Sequence, residues 1–314
     1  MSRAFVFPGQ GAQTIGMGRA LAEAYPAAKA VFDEVDEALG EKLSALSWEG
    51  EIEALTLTQN AQPALMATSL AALRALEAEG VKITDAKLVA GHSLGEYSAL
   101  AAAGALSVAD TARLLRIRGK AMQEAVPVGV GAMAALLGLD FATAQTVAAE
   151  AAQGDVCQAA NDNDPSQVVV SGHKAAVERA VELAKAAGAK RAMLLPVSAP
   201  FHCALMAPAA GVLAHAPART SLTAPAVAHA ASGRAEALSD PVMIRALLVE
   251  QVTGSVRWRE SVLYMGETQG ISEIWEIGAG KALSGMVRRI NKDIACRNIG
   301  TPEDIAGALE ALNG

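Results

Sequence analysis

Lys87-Leu88-Val89-Ala90-Gly91-His92-Ser93-Leu94-Gly95-Glu96 is the stretch from which the fold is read. Leu88 and Val89 make a short β-type run that meets a G-x-S-x-G step, and an Ala- and Leu-rich helical run follows from Tyr97 to Leu106. Strand, sharp turn and helix in that order are what a nucleophile elbow requires. Gly91 and Gly95 lack Cβ atoms, so strand and helix can approach closely while Ser93 is held in a strained turn with its hydroxyl exposed. The new helix also begins beside Ser93 with unpaired N–H groups, which favour developing negative charge. The competing reading is a plain Gly/Ser turn between two core elements, and a five-residue motif alone does not separate the two.

The bulk properties limit what surrounds this stretch. A chain of 314 residues can bury a sizeable core, as one large domain or two smaller ones. Its 52% hydrophobic content and 4% aromatic content fit a helix-rich α/β protein. A net charge of −7 argues against nucleic acid or an anionic membrane as the main partner. Cys157, Cys203 and Cys296 are scattered without a C-x-x-C, so neither a disulfide framework nor a zinc site is implied. Cys203 reads as a small buried filler. No basic and then apolar leader precedes the first strand and no run reaches membrane-spanning length, so a cytoplasmic enzyme is expected.

Ala4 to Phe7 reads as a buried strand running into Pro8-Gly9-Gln10-Gly11-Ala12-Gln13 and a helix from about Met17. A phosphate loop fails because no Gly-Lys-Ser/Thr follows, and the dinucleotide fingerprint fails because Thr14 stands where its third glycine belongs. What remains is either an oxyanion-hole wall or a tight turn. Helical pattern runs from Ala27 to Leu39 and from Gln62 to Glu79, with Pro63 in a first turn and a loop over 49–60 between them.

The helix from Val108 to about Val126 carries an anomaly. At about 100° per residue, Leu114, Leu115, Ile117, Ala121 and Met122 define an apolar arc, with Arg113, Arg116 and Lys120 on the solvated face. Arg118 falls inside the apolar arc. An inward arginine needs an anionic partner, because it cannot shed its charge. That partner is an internal carboxylate or a substrate carboxylate, which a guanidinium matches bidentately; the rarity of inward charge favours the substrate.

From Gly131 onward the pattern reads strand (132–139), helix (141–153), two strands (156–160 and 167–172) around the polar turn Asn161-Asp162-Asn163-Asp164-Pro165, helix (174–187) and strand (191–197). That β-α-β-β-α-β order is ferredoxin-like. The expected organisation is an inserted small unit at 130–197 within a large α/β unit made of 1–129 and 198–314. The insertion ends at Pro196-Val197-Ser198-Ala199-Pro200-Phe201-His202, where two prolines pin His202. His92 lies in the elbow, His173 opens a helix, and His215 and His229 read as lying in Ala/Pro-rich loops. By elimination His202 is the best-placed base for Ser93. The remaining C-terminal pattern is a helix over 243–252, a strand at Ile274 to Ile277 leading through Gly278-Ala279-Gly280 into a helix, a strand at Ala295 to Ile299, and a helix opened by Thr301-Pro302-Glu303-Asp304.

With FVFPGQGAQ, GHSLGE, RIRGKAMQEAVP, PVSAPFH and EIGAGKALSG in this order, the chain resembles the malonyl-CoA:acyl carrier protein transacylases over essentially its whole length. The resemblance implies a hydrolase-like α/β subdomain with a parallel sheet carrying the serine, plus a ferredoxin-like one. It implies Ser93 as nucleophile, His202 as its base, and Arg118 as the ligand of the malonyl carboxylate. The backbone N–H groups of Gln10 and Leu94 would form the oxyanion hole, and Gln251 would orient the histidine, mainly through its carbonyl. The substrates implied are malonyl-CoA and the phosphopantetheine of acyl carrier protein, with no cofactor and a monomeric state. Many bacterial members carry Ser before the histidine. Phe201 instead resembles malonyl-selective polyketide domains, and its bulk near the substrate α-carbon would disfavour a methyl branch.

Three rival readings are open: an acyltransferase serving a polyketide synthase, a serine thioesterase or esterase, and a non-catalytic carrier-binding module, against which the intact Ser93 and His202 count. The esterase order of Ser, Asp/Glu, His is not met here, since no acidic residue between 93 and 202 stands out as a partner for His202. The carrier is acidic in this family, so Lys185, Lys190 and Arg191, or Arg288, Arg289 and Lys292, are candidate docking groups.

Overall fold

A computed structural model describes residues 2–216 and 220–313; Met1, residues 217–219 and Gly314 of the larger expected unit lie outside them. The strands are β1 (Arg3–Phe7), β2 (Leu88–Gly91), β3 (Gly131–Leu137), β4 (Cys157–Asp164), β5 (Gln167–His173), β6 (Arg191–Leu194), β7 (Ala228–Ala231), β8 (Glu236–Leu238), β9 (Glu273–Ile277) and β10 (Ala295–Ile299). They form two sheets. The larger has the order β10-β9-β1-β2-β7-β8 and is parallel except for the β7–β8 pair at its edge. Helices cover both faces of such a sheet, which is why Ala4, Phe5, Val6 and Phe7 are all completely buried. Phe7 pairs with Gly91, so the Pro8–Gln13 loop and the serine turn leave the same edge of the sheet side by side.

The smaller sheet is antiparallel, in the order β4-β5-β3-β6. Helices Phe141–Ala152 and Lys174–Ala186 pack on it through Ala144, Val147, Ala148, Val177, Ala180 and Ala184. This is the strand order of the ferredoxin-like arrangement that the sequence predicts.

Several local expectations are corrected. Residues 161–164 are strand, not turn, because their polar groups find partners across the molecule. The stretch expected as a loop contains the short helix Ile52–Thr56, anchored by the buried Leu55. The next helix starts at Thr58, four residues early, which places Pro63 inside it rather than in the first turn. Its start is tied down by the Thr58 hydroxyl, which donates to Gln10 Oε1 at 2.8 Å. His229 sits in β7 and His215 ends the helix Ala207–His215, so neither occupies a loop. In the Arg118 helix, Val108–Glu124, Ile117 is 37% exposed rather than core, and Arg116 is half-buried, bonded to Asn60 and paired with Glu41.

Candidate active site

The serine turn is as tight as its glycines suggest. A Cβ on Gly91 would lie 1.9 Å from the Gly95 carbonyl carbon, and one on Gly95 would lie 2.2 Å from Phe7 O. Ser93 is held at φ 53° and His202 at φ 58°. Non-glycine residues rarely adopt this left-handed region, and only four described residues do so; two of the four face each other here. Ser93 Oγ lies 2.8 Å from His202 Nε2, and His202 Nδ1 lies 3.0 Å from the Gln251 carbonyl oxygen. A carbonyl only accepts, so Nδ1 carries the ring proton and Nε2 presents its lone pair to the serine hydroxyl. Burial, followed by the nearby Arg118 charge, pushes the His202 pKa down to about 3, so the ring is neutral and ready as a base.

Arg118 is 1% exposed. Among the described residues it forms no ion pair. Its Nη1 donates to Gln62 Oε1 at 2.7 Å, and its Nη2 donates to Gln251 Oε1 at 2.8 Å and to Ser93 Oγ at 3.1 Å. Burial lowers its pKa, opposed by the neighbouring Tyr97 and Glu96. Its guanidinium is thus held by neutral oxygens beside Ser93 rather than as half of an internal ion pair, which leaves its charge unmatched by any described carboxylate. Gly119 brings the two helices together at this point, since a Cβ there would sit 2.5 Å from Gln59 Cα. That close crossing delivers Gln62 to Arg118.

The opposite wall is the Pro8–Gln13 loop. Gly9 abuts the elbow, where a Cβ would meet His92 O at 2.7 Å. Neighbouring backbone N–H groups are spent: His92 N on Phe7 O, Gly95 N on His92 O, and Gly11 N on Gln13 Oε1. Those of Gln10 and Leu94 have no acceptor among the described residues. A cleft of about 250 Å³ lined by Gln10, Glu53, Thr56, Leu57, Pro196, Val197 and Ser198 opens at the Gln10 end of the loop. Phe201 is buried in an apolar cluster with Met122, Met133 and Val169, and Met122 Sδ touches Gln62 Nε2 at 3.7 Å. Of the candidate docking groups, Arg289 is held by Asp164 at 2.7 Å and Lys185 by Glu182 at 2.7 Å.

The structure therefore brings Ser93, His202, Arg118 and Gln251 into one hydrogen-bonded group. Sequence reasoning missed Gln62, Glu96, His229 and Ser232, which hold that group in place, and Asn163, which bonds to His92 beside it. The available signal was polar side chains in apolar runs. Glu96 stands in the helix Gly95–Ala102, all eight of whose residues are buried. Its carboxylate meets His229 Nε2 at 2.7 Å, Ser232 Oγ at 2.7 Å, Ser232 N at 3.1 Å and Gln251 Nε2.

Comparison with known proteins agrees with this arrangement. Residues 4–277 match the model of the acyl transferase domain family. The chain is 47% identical over 307 residues to the malonyl CoA-acyl carrier protein transacylase of Escherichia coli K12, covering 98% of each. It superposes with TM-score 0.97 on the acyl-carrier-protein S-malonyltransferase of Bartonella henselae, 54% identical, over 100% of both chains. A malonyl-transacylase solved with its holo type II polyketide-synthase acyl carrier protein is 42% identical, with TM-score 0.96, over 99% of this chain and 100% of that one. With a strained serine backed by a neutral histidine, and with relatives matched from end to end, the chain belongs to the malonyl CoA-acyl carrier protein transacylases and is an acyltransferase.

Proposed function

We propose that the chain moves a malonyl group from malonyl-CoA to the phosphopantetheine thiol of acyl carrier protein in fatty-acid synthesis, by a ping-pong reaction through a malonyl ester on Ser93. One observation carries the reading: Arg118 Nη2 lies 3.1 Å from Ser93 Oγ, so an acyl group esterified there has a guanidinium within reach of its free carboxylate. As Ser93 Oγ attacks the thioester carbon, its proton passes to His202 Nε2, and the N–H groups of Gln10 and Leu94 receive the oxyanion. The C–S bond then breaks, and the departing coenzyme A thiolate takes the proton from His202. In the second half the carrier thiol gives its proton to His202 and attacks the ester, and Ser93 leaves with that proton restored. Nothing in these steps calls for a cofactor.

Arg118 selects as well as binds, since acyl groups without a carboxylate leave it with only neutral partners. Phe201 narrows the space near the α-carbon and so favours malonyl over methylmalonyl. Gln251 supports the base through its carbonyl oxygen. The relative solved with its carrier protein supports a carrier as acceptor. We place the small subdomain at 130–197 within a large one of 1–129 and 198–314, and read the enzyme as a monomer working in the cytoplasm; no helix among the described residues is long and apolar enough to cross a membrane.

Intact-mass measurement after mixing with malonyl-CoA tests the reading. A malonyl adduct should form, vanish in Ser93→Ala, and discharge to carrier protein much faster than to water. No adduct, or an adduct that survives Ser93→Ala, overturns it. Arg118→Ala should reduce kcat/KM for malonyl-CoA by about 10²–10³-fold, the worth of a desolvated charge-assisted contact, and reduce reaction with acetyl donors far less.

A further inference from the structure

Gln251 makes two kinds of contact that matter to the site. Its backbone oxygen accepts from His202, and its side-chain oxygen accepts from Arg118 at 2.8 Å. An amide can face either way, and only one face suits a guanidinium. Both donors of this amide are spent on the other side: Nε2 donates to Ser93 O at 3.0 Å and to Glu96 Oε2. A carboxylate cannot donate, so Glu96 dictates which end of the amide points at it. The other end, Oε1, is thereby turned toward Arg118.

Glu96 is itself fixed. It is 3% exposed, and its two oxygens receive the His229 ring, the Ser232 hydroxyl and the Ser232 N–H besides Gln251. Burial alone would drive this carboxyl toward its neutral form; the bonds from His229, Ser232 and Gln251 together outweigh burial and hold its pKa below the ordinary value.

We propose that Glu96, seated on His229 and Ser232, is a positioning residue for substrate selection: it locks the Gln251 amide so that Arg118 stays aimed at the carboxylate of the acyl group. Glu96 touches neither Ser93 Oγ nor His202, so its effect runs through Gln251 to Arg118 rather than through the base. The inference rests on the reading of Arg118 given above and adds the device that holds it.

The test compares two reactions of Ser93 in the full chain. One is acylation by malonyl-CoA, which uses Arg118; the other is labelling by phenylmethylsulfonyl fluoride, which has no carboxylate and reports only the serine and its base. In Glu96→Gln only the Ser93 carbonyl still orients the amide, so the malonyl rate should fall 10- to 100-fold, mainly through KM, while sulfonyl labelling stays within about twofold. Ser232→Ala should shift the same ratio several-fold. Glu96→Gln should add nothing further in a Gln251→Leu background, because both changes remove one path. Equal loss of both reactions, or no change in their ratio, overturns the proposal; if Glu96→Gln does not fold, the ratio in Ser232→Ala and His229→Asn decides. Failure of the underlying reading looks different, because the unaltered chain would then form no malonyl adduct.

Discussion

The serine turn at 91–95 and the polar run at 161–164 are both built of small or polar residues next to a strand, yet they fold in opposite ways. The turn is forced by its own chain: Gly91 and Gly95 nearly touch, and Ser93 takes φ 53° within a five-residue span. The run Asn161-Asp162-Asn163-Asp164 has turn composition but continues β4, because its partners come from far along the chain. Asp162 pairs with Arg259 from 97 residues away, Asp164 with Arg289 from 125, and Asn163 with His92 from 71. Val256 extends the edge by accepting from Asp162 N at 2.9 Å and donating to Ala160 O at 2.9 Å. Where a conformation is enforced locally, composition reveals it; where distant partners enforce it, composition misleads.

The largest break of this comparison is at the turn. Gly91→Ala places a Cβ where backbone already stands, with no side chain able to yield. Expected are a loss of about 4 kcal/mol or more in denaturant unfolding and no labelling of Ser93 in whatever folds. No single change in the 161–164 run should match that.

The same contrast explains what was legible. The elbow, the ferredoxin-like strand order and inward-facing Arg118 are periodic or local patterns, and each reappears in the structure. His202 emerged by elimination, and its tie to the Gln251 carbonyl explains why no acid could be found for it in the sequence. Hidden were the contacts that no period encodes: Glu96 with His229 at a separation of 133, Gln62 with Arg118 at 56, and the whole polar edge of β4. Ile117 shows the opposite error, an apolar residue at an inward angle on the wheel with no neighbour there to cover it fully.

Acid should separate the turn's chemistry from its neighbours next. The unfolded chain protonates a histidine near 6.5, whereas folded His202 resists until about 3. Stability is therefore lost as pH falls from 6.5 toward 3, by up to about 1.4 kcal/mol per pH unit from this residue. Between pH 6.5 and 4.5 the native chain should lose about 2 to 3 kcal/mol more than His202→Ala does, measured by denaturant titration. The acid limb of kcat/KM for malonyl-CoA should likewise fall well below 6.5.

Asp162→Ala should have a smaller effect. It leaves Arg259 without its two-toothed partner, but Arg259 is 28% exposed, so water recovers part of the loss. About 2 kcal/mol is expected, less than for a fully buried pair. Malonyl adduct formation at saturating donor should persist, because Asp162 touches no group of the site.

The mildest change probes the place where the two regions meet. His92 precedes Ser93, and its Nε2 lies 2.9 Å from Asn163 Oδ1 on β4. Burial lowers the His92 pKa, so the ring is neutral and Nε2 donates to the amide oxygen. Asn163→Ala removes one neutral hydrogen bond and leaves a ring N–H without its acceptor, a cost of about 1 to 2 kcal/mol, or roughly 1.5–3 °C in Tm for a chain of this size. The turn itself is fixed by Gly91 and Gly95, so sulfonyl fluoride labelling of Ser93 should stay within about twofold. A larger loss of labelling would mean that the elbow depends on the small sheet for its shape, and the contrast between locally and remotely enforced structure would fail at the residue that joins them.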